Sequence, residues 1–111
     1  MTNKILVLVT CGSAREARRI GKTLVELKLI ACANLISAPV DSVYRWKGKV
    51  ESAKEFLLIL KTTQRRFASV QAEVKRLHSY EVPEIIAVPI ATGLPAYLSW
   101  IDESTSARKR P

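Results

Sequence analysis

Apolar and polar positions along this chain recur with two periods, and the changes between them mark its elements. Ile5-Leu6-Val7-Leu8-Val9 is apolar at every position and of strand length, so it predicts a first strand ending at Thr10-Cys11-Gly12. Ser13-Ala14-Arg15-Glu16 then reads as a capping box, with the Ser13 hydroxyl taking a backbone N–H while Glu16 reaches back. Ala17, Ile20, Leu24 and Leu27 follow at helical spacing, with Arg15, Arg18, Arg19 and Lys22 on the other side, predicting a helix that stops near Lys28. Residues 31–36 form an apolar run, and after Ser37-Ala38-Pro39 the alternation Val40, Ser42, Tyr44, Trp46 continues it. Pro39 therefore marks a bend, and Tyr44 and Trp46 share a face. Lys47-Gly48-Lys49 is a turn, which makes a long hairpin into a third strand, ragged over 50–54 and strongly apolar over 56–60. Phe67, Val70, Val74 and Leu77 line one face of a second helix from about Thr63 to about His78. Residues 85–90 predict a fourth strand, and Pro95, suited to a first helical turn, opens a short third helix through Tyr97, Leu98, Trp100 and Ile101. Residues 104–111 are polar and basic and are expected to fray.

The order βαββαβ plus a final helix predicts a single α+β domain over residues 1–111. Right-handed crossovers give it a ferredoxin-like sandwich, with the helices on one face of an antiparallel sheet. In this reading the first strand runs parallel to the third and antiparallel to the fourth, so Cys11, Lys61-Thr62 and residues 78–84 cluster at one end. A helix-free face normally meets water and its strands alternate, yet 5–9, 56–60 and 85–88 are apolar on both faces. Leaving that face wet exceeds the apolar patch usual on a monomer, at about 25 cal/mol per Å². One short helix is too small to cover it. Cyclic self-association accounts for it better.

Composition narrows the function. At 111 residues the chain has one domain's length, with no linker, repeat or low-complexity block. The leading apolar run is too short for a signal peptide, and no stretch reaches the ~20 apolar residues of a spanning helix, so a soluble cytoplasmic protein is expected. Cys11 and Cys32 are too few for a disulfide framework and suit small buried hydrophobes. The net charge of +8 fits either acidic partners or solubility. The basic stripe of the first helix reads as a solvated face. Tyr44, Trp46, Tyr80 and Trp100 are interspersed among apolar residues, so they read as core and interface, and no nucleic-acid partner is expected. With one His, no Ser/His/Asp set and no glycine-rich phosphate loop, no enzyme is expected.

Five stretches carry a resemblance: Ala31-Cys32-Ala33-Asn34; Tyr44-Arg45-Trp46-Lys47-Gly48-Lys49; Lys61-Thr62-Thr63; Leu77-His78-Ser79-Tyr80-Glu81-Val82-Pro83-Glu84-Ile85-Ile86; and Tyr97-Leu98-Ser99-Trp100. In these the chain resembles the CutA family of divalent-cation tolerance proteins. The resemblance implies a homotrimer with its three sheets packed face to face, and Tyr44 and Trp46 are expected at the subunit interface. It also implies a response to metal ions, with copper or another divalent cation held by Cys11 and His78. A carboxylate, Glu81 or Glu84, would complete the set, which suits a soft cation. Leu77 stands where some members carry a second His, so affinity is expected to be modest and the metal not needed for folding. The alternative implied by fold is a trimeric regulator of the P-II type, binding a small ligand or protein in clefts between subunits.

Overall fold

The structure, a computed structural model, describes residues 1–106. The first apolar run becomes β1 (Lys4–Cys11), and Ser13 caps α1 (Ala14–Glu26). β2 (Cys32–Leu35) and β3 (Val40–Trp46) flank the bend at Pro39, and both pair with one 15-residue strand, β4 (Lys49–Thr63). A 3-10 turn (Gln64–Arg66) leads into α2 (Phe67–Leu77), then β5 (Ile85–Pro89) and α3 (Pro95–Ser104). The sheet order is β2-β4-β1-β5, with β3 on the outer half of β4, and every pairing is antiparallel. This is a ferredoxin-like α+β sandwich.

One expected direction is corrected. β1 runs antiparallel to β4, not parallel: Lys4 pairs with Thr63 and Cys11 with Phe56. Each helical crossover returns the chain in its starting direction, but the β3–β4 hairpin between them reverses it. Cys11 therefore lies beside the middle of β4, and Lys61-Thr62 lies toward the far end. The hairpin reverses through Lys47 (φ 51°) and Gly48 (φ 82°), two successive left-handed residues as a tight two-residue turn requires.

α1 and α2 cover one sheet face. Ile5, Val7, Val9 and Cys11 of β1 and Leu58 and Leu60 of β4 pack there against Ile20, Leu24, Val70 and Val74. α1 approaches β2 so closely that a Cβ on Gly21 would lie 2.8 Å from the Cβ of Ala33. The capping box is only half made: Ser13 Oγ accepts from the Glu16 N–H at 3.1 Å, but the Glu16 carboxylate turns elsewhere. α1 ends at Glu26 with Leu27 as its C-terminal cap, and Lys28 takes the left-handed conformation (φ 62°) that follows many helix ends.

The opposite face carries Leu6 and Leu8, Leu57 and Ile59, and Ile86 and Val88: Leu8 pairs with Ile59 and Ile86, Leu6 with Lys61 and Val88, and Leu57 with Thr10. Ile86 is 50% exposed and Val88 41%. α3 covers only the Lys4–Thr63 end, where Lys4 Nζ meets Asp102 Oδ2 at 2.8 Å and Ile101 and Thr105 are fully buried. The Arg66 Nε–H also donates to the Thr105 carbonyl. The fraying expected from residue 104 is thus corrected for 104–106, because Ser104 ends α3 and Thr105 is buried. Residues 107–111 lie outside the described residues.

Candidate functional site

The register places the end of β1 against the α2–β5 connection, and a hydrogen-bonded chain of side chains forms there. His78, at the C-terminus of α2, is buried. Its Nδ1 accepts the Tyr80 N–H at 3.1 Å, so Nε2 carries the proton it donates to the Thr10 carbonyl at 2.8 Å. The Glu16 carboxylate reaches across from α1 and accepts both the N–H and the hydroxyl of Ser79, with Oε2 3.8 Å from His78 Nδ1. Tyr80 stacks obliquely on His78, ring centroids 4.6 Å apart, and its hydroxyl donates to Glu55 Oε2 at 2.7 Å. Gly12 leaves room for that ring, since a Cβ there would sit 3.3 Å from Tyr80 Oη.

Beside this chain an open groove of about 1010 Å³ runs between the hairpin and the 80–84 loop. Tyr44, Trp46 and Tyr80 give it aromatic walls, and Asp41, Glu51, Glu55, Glu81 and Glu84 give it carboxylates. Burial, with the nearby Glu55 charge second, raises the Glu84 pKa. Burial also raises Tyr80, reinforced by the hydrogen bond to Glu55.

Cys11 and His78 do come to the same end of the sheet. Cys11 is fully buried, and burial, then Glu16 and Glu55, pushes its thiol up to about 12. It is therefore a thiol at neutral pH. Glu81 is exposed on the loop, and no cluster of three or more His, Cys, Asp or Glu side chains able to hold a metal ion exists among the described residues. Lys61, expected beside Cys11, instead pairs with Leu6 and holds its ammonium over the Tyr97 ring. Tyr44 and Trp46 lie on the open side of the hairpin, 44% and 39% exposed. Sequence reasoning missed Glu55 and the inward turn of Glu16, whose only signal was its place in a capping box.

The raised groups fix an alkaline response. The folded Cys11 thiol keeps its proton to about pH 12 while the unfolded one loses it from its ordinary 9.0, so the unfolded state binds fewer protons in between and stability falls as pH rises. Tyr80 adds a loss of the same sign above its ordinary 10.0. Urea melts should show midpoints dropping above pH 9.0, and Cys11→Ala should flatten that drop. A midpoint independent of pH across this range would contradict the thiol's placement.

Comparison with known proteins completes the picture. The sequence profile of the CutA1 divalent ion tolerance protein family matches residues 5–104. The Divalent-cation tolerance protein CutA of Archaeoglobus fulgidus is 48% identical over 98 residues, covering 88% of this chain and 94% of that protein. Its Thermus thermophilus namesake is 47% identical over 100 residues, covering 90% and 96%. The solved divalent cation tolerance protein Cut A1 from Thermus thermophilus superposes with a TM-score of 0.89 at 46% identity, covering 93% of this chain and 99% of that one. Fold, motifs and length agree along nearly the whole chain, which belongs to the CutA1 divalent ion tolerance family.

Proposed function

We propose that this protein serves divalent-cation tolerance as a homotrimer whose subunits bury their open sheet faces against one another. The apolar row Leu6, Leu8, Leu57, Ile59, Ile86 and Val88 carries the reading, because Ile86 and Val88 are exposed and the other four are only partly covered. Tyr44 and Trp46 extend that row onto the hairpin. An isolated two-stranded ribbon of this length is marginal in water, so a neighbouring subunit is its natural support.

The expected donors do not fit a preformed metal centre. Cys11 is buried as a thiol, both His78 nitrogens hold protein hydrogen bonds, and Glu81 is exposed on the groove wall. Copper or another divalent cation would reach Cys11 and His78 only after local opening of the 78–84 segment, so binding there is weak and folding does not depend on it. Light scattering should return three times the 12.4 kDa chain mass, and a folded 12.4 kDa species would end the trimer reading. Calorimetric titration should show weak copper uptake that releases protons and weakens further in Cys11→Ala and His78→Ala. Identical binding by all three proteins, or none by any, would remove the metal from these residues.

A further inference from the structure

The basic stripe on α1 reads differently once α2 is beside it. Arg19 Nη2 donates to the Leu77 carbonyl at 3.1 Å, which joins the first turns of α1 to the last turn of α2, where Lys75 and Arg76 stand exposed. The carboxylates of this layer are already engaged. Glu16 is turned inward onto Ser79, Glu73 is held by Arg76, and Glu26 by Lys22. Arg15, Arg18 and Lys75 are exposed and have no carboxylate partner among the described residues. Five of the chain's ten acidic residues line the groove instead. Charge is thus segregated, with a positive helical layer turned away from the open sheet face.

We infer that this helical layer docks on the phosphates of a nucleic-acid duplex without regard to base sequence. Arg15, Arg18 and Lys22, the last also paired with Glu26, share one helix face over seven residue steps, about 10 Å, a length that spans a few successive phosphates of one strand. No aromatic side chain is exposed on α1 or α2, so the layer offers no platform for unpaired bases. Its large exposed apolar side chains are Val25 and Leu27, at the far end of α1, which leaves nothing in the basic cluster to insert into a bilayer. The inference uses one subunit's helices and is independent of the trimer and of metal.

Fluorescence anisotropy with a mixed-sequence duplex of about 30 base pairs, as DNA and as RNA, tests it between about 50 and 200 mM salt. Native protein should bind with a steep salt dependence. The variant Arg15→Gln/Arg18→Gln/Lys75→Gln removes three side chains that hold nothing in the fold. It should keep its circular dichroism, bind at least about tenfold more weakly at the lowest salt, and show a log–log slope shallower by about 2 to 3. Lys47→Gln/Lys49→Gln, on the hairpin turn, should match native. No binding by native protein at about 50 mM salt, equal slopes for native and the triple variant, or binding to phosphatidylserine-containing vesicles but not to duplex, would each overturn the inference.

Discussion

Replacing Ile86 with Arg should dissolve the assembly. Ile86 lies opposite Leu8 on the open face, half exposed in one subunit, with apolar neighbours on β1 and β4. In the proposed trimer that face is buried, and the substitution would place three unpaired guanidinium groups there. Desolvating a charge without a partner costs several kcal/mol per ion, and Glu84, two residues before Ile86, offsets little because burial and the Glu55 charge already disfavour its anion. Light scattering should show the mass falling from three chains toward one, with a lower melting temperature and new binding of an apolar dye. Trp46→Ala, at the edge of the same surface, should only loosen the assembly. Gln71→Arg on the exposed side of α2 should change neither mass nor melting. Unaltered mass and melting for Ile86→Arg would show that the open face is not the contact surface.

Leu58→Ala should be the most damaging single truncation on the helical side. Leu58 is 1% exposed, pairs with Val9 and Leu35 across two neighbouring strands, and lies 3.6 Å from the space a Gly21 Cβ would fill. Strands on both sides hold the backbone, so the site cannot collapse around the missing atoms. The loss should fall in the upper half of the roughly 2–5 kcal/mol range for buried Leu→Ala changes. Chemical denaturation at one fixed protomer concentration reads it as a lower midpoint with an unchanged slope. A loss below about 1 kcal/mol would mean that α1 settles into the gap.

Much of this architecture was legible from pattern, because period and capping are local properties. The α1 start at Ser13, the bend at Pro39, the turn at Lys47-Gly48 and the Pro95 helix start each depend on a few adjacent residues. Strand direction does not: the apolar run of β4 reads the same either way, and only the count of crossovers and hairpins sets its sense. That error put Lys61 beside Cys11, when Glu16 and Glu55 are the carboxylates near it. Glu16 illustrates a second limit. Its spacing from Ser13 allows a reciprocal cap, but Ser79, brought near by the fold, offers its carboxylate two donors. The proximity of Lys75 and Arg76 to the α1 stripe was invisible for the same reason.

The central place of β1 also governs how the chain can be made. Its partners arrive late, since Lys4 waits for Thr63 and Ile5 waits for Pro89. At the usual rate of about 5–20 residues per second of synthesis, an apolar strand stays unpaired for roughly 3–12 s before β4 is complete. α1 can form at once, and it can shield Ile5, Val7 and Val9 in the nascent chain, but Leu6 and Leu8 face the other way. Those two side chains gain strand neighbours only when β4 and β5 arrive and are covered only when subunits meet, so a ribosome-bound chain halted before β4 should be the species most prone to aggregate.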